Sequence, residues 1–471
     1  MKSRRGLAGI AGFALTLLLS SVAFSQQESE RGVPPRELEA QTEIQRAAAA
    51  ARARAAVEGE EVTYERILAD PDNIDLNFRY AKSQIARADL KGAAATLERI
   101  LLVNPDLAQV RLLYGIVLFR LDSMEESERM LKSVLALPIQ STLRDEVEEY
   151  LRQIRLRRKM TRWLASLSVG FQFDTNRNAA PSSKQQLVAD FPLPLTGSSR
   201  KQRDTSFLAI ESLRVIHDLG TQAGHKLFAS FDHFLEEQTV ADTYDLASFS
   251  LEGGAILKWG LSSVSPSVFA EHVQLSRETF LRSQGMGLEM ERPVTPKFTL
   301  SGITRLARED YTGISENSAA SQRRGNIVTV KAGGSYILSP TMRLDVSGLY
   351  TGKDAKASYY DYDGFGVQVG HTWLLGRGQF LSSVFGFEVN GYNDADAAIS
   401  ARTRRDEEYR FRVTYGMPVS LLPGVKLLPK RFLENLTATL TFEQFRAVSN
   451  VENYTYSNSK VAAMVTKIVE F

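Results

Sequence analysis

With 471 residues the chain is long enough for two or three domains, and its 57 basic against 55 acidic residues leave a net charge of +2, no bulk field for nucleic acid. The absence of cysteine removes disulfides, thiol catalysis and cysteine-ligated metals together. Mean hydropathy is −0.19, and no apolar run after residue 25 approaches the ~18 residues of a membrane-spanning helix.

The first element is a targeting segment. Lys2, Arg4 and Arg5 form a positive start, Leu7 to Val22 a short apolar core, and Ala23-Phe24-Ser25 a small-residue site with cleavage expected before Gln26. Residues 1–25 therefore read as a signal peptide that exports the chain. Residues 26–60 are polar and include "RAAAAARARAA", which favours helix but offers no apolar stripe. They read as a linker or a loosely docked helix.

Over 61–160 the pattern turns helical. Asp70-Pro71-Asp72 recurs 34 residues later as Asn104-Pro105-Asp106, the tetratricopeptide period. In that register Ala81 and Gly115 fall at one small position, and Ala93 and Ser127 at another, where paired helices approach closely. Pro105 and Pro138 end second helices. This predicts two repeats, preceded by a half repeat and closed by a helix from Ser141. The register assigns Phe78, Lys82, Ile85, Leu112, Ile116, Phe119 and Arg120 to a concave groove that binds a client. The alternative is that the apolar members pack against a neighbouring helix.

From Trp163 the period becomes two. Trp163, Ala165, Leu167, Val169, Phe171 and Phe173 alternate with polar and small residues, as do Phe365, Val367, Val369, His371 and Trp373, and Val461 to Phe471. Fourteen such segments are predicted. Six links between them are mostly short, and the seven others are expected to be longer and polar, led by 174–204. An even count, one apolar face per strand and alternating short and long links describe an outer-membrane barrel, which survives in lipid only when closed. The fold class is thus α+β multidomain: an N-terminal tetratricopeptide-like α-solenoid, then a 14-stranded antiparallel transmembrane β-barrel over 161–471. A soluble β-sandwich also alternates, but explains neither the loop asymmetry nor the export signal. Trp163, Trp259 and Trp373 are expected together on the periplasmic rim, facing lipid, with Phe173, Tyr244, Tyr311, Tyr350 and Tyr360 at the opposite rim.

Catalysis finds little support. Of the five histidines, His217 and His225 flank a predicted turn, His371 lies on a lipid-facing stripe, and His233 points away from its neighbour Asp232; no G-x-S-x-G elbow, H-E-x-x-H pair or P-loop occurs. No enzyme activity, cofactor or metal site is expected. The predicted lumen carries Glu252, Glu289, Glu291 and Glu388 with Arg305, Arg410 and Arg412. These charges read as pairs crossing the lumen, or as a filter for a small solute.

A signal peptide, a short tetratricopeptide segment and a fourteen-stranded barrel together resemble the surface lipoprotein assembly modulators (Slam). The most local likeness is "GFQFDTNRNAA", Gly170 to Ala180, similar to that family's strand-one exit with Asp174, Asn176 and Asn178. Those three are equally readable as turn-forming polar residues. The resemblance implies delivery of lipoproteins, or related secreted clients, from periplasm to cell surface. The helical domain would lie in the periplasm and receive the client. Outer-membrane lipid and the barrel assembly machinery would be partners, and terminal Phe471 would be the machinery's assembly signal. An exopolysaccharide export barrel and a substrate-specific porin are the alternatives.

Overall fold

The computed structural model describes residues 64–70, 73–87, 89–314, 318–425, 429 and 433–471. The predicted signal peptide and the 26–60 linker lie outside them. The chain divides into two units, one ending at Arg162 and the other starting at Trp163.

Among the described residues the first unit has six helices: α1 (Tyr64–Ala69), α2 (Ile74–Ala86), α3 (Leu90–Val103), α4 (Ala108–Arg120), α5 (Met124–Leu135) and α6 (Ser141–Arg158). Asn73 caps α2 by accepting from the Leu76 N–H at 3.0 Å, and Asp89 caps α3 by accepting from Gly92 at 3.0 Å. Ala81, Ala93 and Ser127 are fully buried. Ser127 Oγ donates to the Gly115 carbonyl at 2.7 Å, and Leu131 packs so close to Gly115 that a Cβ there would come within 2.9 Å of it. Each helix from α2 to α5 packs on the next in sequence order.

The second unit is a closed barrel of fourteen antiparallel strands, β1 (Thr161–Asp174) and β4 (Asp204–Asp218) through β16 (Tyr456–Glu470). The fourteen predicted strands are all present. β1 closes the ring on β16 in the register Leu164↔Glu470 to Asp174↔Lys460. Gly170 sits in this seam where a Cβ would come within 2.1 Å of the Ala463 carbonyl, so no larger residue fits without moving β16. Barrel strands run from 13 to 18 residues, longer than the ~9–11 a tilted strand needs to cross lipid.

Two features depart from the sequence reading. The link between β7 (Ser262–Leu275) and β8 (Glu278–Thr295) is no long loop. Ser276 and Arg277, at φ 51° and 66°, make a two-residue hairpin turn. The first long loop, 175–203, also contains its own hairpin, β2 (Gln185–Val188) and β3 (Phe191–Pro194).

Exposure follows strand parity. Leu167, Val169, Phe171, Phe365, Val367, Val461 and Val465 are all exposed, as expected of an apolar outer belt. Trp163, Trp259 and Trp373 lie at the strand ends that carry the short turns, 39 %, 69 % and 39 % exposed. Tyr311 ends its strand, Phe298–Tyr311, at the long-loop rim. It is buried on the inner face against Phe280, ring centroids 5.4 Å apart.

Candidate functional site

The inner wall of the barrel collects its polar chemistry. Arg410 and Arg412 both reach Glu443, at 3.3 and 2.9 Å, across neighbouring strands β14 (Arg405–Pro418) and β15 (Leu436–Ser449). Glu252 accepts from Ser267 Oγ at 2.7 Å and lies 3.8 Å from Arg305, whose guanidinium covers the Phe269 ring at 4.0 Å. Glu388 of β13 (Gln379–Tyr392) faces Glu408 of β14 directly in the strand register. Glu289 is half-buried and Glu291 is exposed near the short-turn rim. The predicted lumen charges thus share one face, but several pair along the wall with neighbours rather than across the lumen. Neighbouring strands are ~4.8 Å apart and bring inward side chains within reach.

A cavity of about 1180 Å³ is lined by residues of every strand from β5 (Lys226–Gln238) to β12 (Tyr362–Gly376), among them Ser230, Glu252, Phe269, Ile327, Lys353 and Tyr362. Contact with so many consecutive strands places it on the concave side of the sheet.

The mouth at the long-loop end of the barrel is built around the strand-one exit. Asp174, Asn176 and Asn178 are 2 %, 2 % and 3 % exposed. The Asn176 N–H donates to Asp174 Oδ1 at 2.8 Å, and Asn176 Nδ2 to the Ala180 and Ser457 carbonyls at 3.1 Å each. Asn178 Nδ2 donates to the Ser198 and Arg200 carbonyls, while its Oδ1 accepts from the Gln202 N–H at 2.9 Å. The turn-forming reading accounts for these contacts: the three side chains replace ladder bonds where the strand ends.

Between them, Arg177 turns inward. Its guanidinium donates to Glu236 Oε1 at 3.1 Å and to the Tyr244 carbonyl at 2.9 Å. Glu236 also accepts from Gln172 Nε2 and Ser206 Oγ. Sequence reasoning missed Arg177 and Glu236. The only signal was an arginine between two asparagines and a glutamate at an inward strand position.

An apolar cluster lies beside this ion pair, with Leu208 facing Glu236 in the strand register. Leu208, Phe234, Phe280, Tyr311, Phe445 and Tyr456 pack together from the wall, joined by loop residues Ala179 and Ile314.

In the helical unit the expected groove is only partly open. Leu112 and Phe119 are each 6 % exposed, packed on Val147, Leu151 and Ile154 of α6, and Phe119 meets Tyr150 edge-on. They are core, because α6 lies over that face. Phe78, Lys82, Ile85 and Ile116 are half-buried and Arg120 is exposed. Lys82 Nζ sits 4.5 Å from the Phe78 ring centroid.

Comparison with known proteins decides the family. The family described as "Surface lipoprotein assembly modifier" matches residues 163–468, nearly the whole barrel. The chain belongs to that family. Its barrel is therefore an outer-membrane barrel with a family-level role in surface lipoprotein assembly. None of the curated proteins matches it. Among solved structures it is similar to Acinetobacter baumannii OccAB3 (10 % identity, 66 % of this chain and 99 % of that one, TM-score 0.33) and to Pseudomonas aeruginosa OpdK with vanillate (13 %, 66 % and 98 %, 0.34).

Proposed function

We propose that this surface lipoprotein assembly protein delivers lipoproteins, or related secreted clients, from the periplasm to the cell surface. The role is transport or assembly rather than catalysis. The short-turn rim, which also bears the chain ends of the barrel, is taken as periplasmic by the usual rule for such barrels. The helical unit then receives the client, through the half-buried Phe78, Ile85 and Ile116 with Lys82 and Arg120. Lumen residues Glu252, Arg305, Glu388, Arg410 and Arg412 guide it, Phe471 serves barrel assembly, and client folding outside or the barrel assembly machinery supplies the drive.

One observation carries this reading beyond family membership. Arg177 and Glu236 fasten the first long loop into the outer mouth, which suits a gated delivery device better than a standing diffusion pore for sugars or small solutes. Co-expression with lipoproteins from neighbouring genes, followed by surface protease accessibility, tests it. Protease-sensitive lipoprotein only in cells that make this chain is the expected result. Equal accessibility without the chain contradicts it.

A further inference from the structure

The hairpin in the first long loop shows a face that the barrel does not use. Val188 pairs with Phe191 and Gln186 with Leu193, so these four side chains share one face. Leu187 points the other way, onto Ile399, Val451 and Tyr454 of two neighbouring loops. On the free face Phe191 is 72 % exposed, Leu193 40 % and Val188 39 %. Three large apolar side chains in a row on a six-residue span are costly to leave in water.

Hydrogen bonds tie the hairpin to two neighbouring loops. Its turn residues Ala189 and Asp190, at φ 48° and 64°, donate their N–H groups to the Ala398 and Ile399 carbonyls at 2.9 Å each. The Asp190 carboxylate accepts from Ser400 Oγ at 2.5 Å and from the Ala401 N–H at 3.0 Å. Asn453 brackets Leu187, donating to its carbonyl at 3.0 Å and accepting from its N–H at 2.6 Å. A membrane-inserting tip would need this turn free, whereas here it is bonded to other loops.

The free edge is blocked against strand addition. The Leu195 N–H donates to the Lys184 carbonyl, which fixes the alternation of the pair. Pro192 and Pro194 then occupy the positions whose N–H would face outward, and proline has none. A partner must therefore engage side chains on the face, not the backbone at the edge.

Charge defines the partner further. Lys184, Arg200, Lys201 and Arg203, in the same loop, are all exposed, and the loop's exposed Asp190 is already engaged by Ser400 and Ala401. We infer that the β2–β3 hairpin is a docking face for the client polypeptide, taking an apolar patch bordered by carboxylates. This rests on the delivery reading proposed above and names where the arriving client is held.

The test uses the full-length protein in detergent and, as probe, the soluble, unlipidated form of a lipoprotein encoded beside its gene. Wild type should bind it, less tightly as salt is raised from about 0.05 to 0.5 M. Phe191→Ser with Leu193→Ser should weaken binding at least tenfold, and Lys184→Glu with Lys201→Glu and Arg203→Glu should do likewise. Each variant must keep the heat-modifiable mobility of a folded barrel, which solvent-facing changes allow. Unchanged affinity in both variants overturns the docking face, as does binding only to vesicles containing anionic lipopolysaccharide. Surface display separates the two readings. Display that persists in both variants sinks the docking face and leaves delivery standing, whereas no display even with wild type sinks delivery itself.

Discussion

Arg177 and Glu236 form an ion pair of 3.1 Å whose side chains are 6 % and 0 % exposed. The pair joins a loop to the far end of β5 (Lys226–Gln238), which makes it the fastening of the outer mouth. Removing one partner strands a buried charge, a cost of about 3–5 kcal/mol. Arg177→Ala should undock the loop and raise single-channel conductance in planar bilayers, with the barrel still folded. Conductance equal to wild type would show that the loop stays in place without the pair.

Asp190 sets a pH limit on the same loop. Hydrogen bonds from Ser400 and the Ala401 N–H, aided by nearby Arg402, hold its carboxyl below the ordinary aspartate range. A carboxyl with a lowered folded value stabilises docking above its unfolded value, and that contribution is lost as pH falls through the folded value. Protease protection of residues 183–195 should thus be flat from about pH 8 to 5 and fall below roughly pH 4. Asp190→Asn should lower protection at neutral pH and flatten the acid response. An acid response identical to wild type would exclude this carboxylate.

Phe119 and Phe78 should now behave differently. Phe119 is buried against α6, so Phe119→Ser should destabilise the helical unit by about 3–5 kcal/mol and expose it to limited proteolysis in the full chain. Phe78→Ser, at a half-buried site, should cost less and, under the proposed function, weaken client capture. Equal protease resistance of the two variants would refute this division.

Trp163 and Phe471 bridge the seam. Their backbones exchange hydrogen bonds of 2.9 and 3.0 Å, and their rings stack at 6.5 Å. Phe471→Ala should reduce the yield of heat-modifiable barrel in membranes and leave more degraded chain. Wild-type abundance would remove Phe471 from any role in assembly.

The strands were legible because one face must meet lipid, which stamps a period of two on segments such as Val461 to Phe471. Their long-loop ends were less so, since beyond the lipid water solvates both faces and polar residues are tolerated on either. Ser276-Arg277 escaped notice because neither residue is glycine or asparagine, though both take left-handed backbone. The β2–β3 hairpin hid behind Pro192 and Pro194, which argue against a strand unless it is an edge. Strand parity groups the lumen charges on one side of their strands, but it does not give their partners. Pairing of Arg412 with Glu443 depends on strand register, which no local pattern encodes. Burial of Phe119 likewise depended on where α6 settles.

The central claim is tested most directly with purified components. The full-length protein is reconstituted into liposomes with a lipoprotein from a neighbouring gene supplied on the helical-domain side and protease on the other. The account predicts lipoprotein cleaved at that far face, at a rate that falls with Phe78→Ser while the barrel remains folded. Lipoprotein that stays fully protected with a folded, correctly oriented barrel and the assembly machinery also present would contradict it.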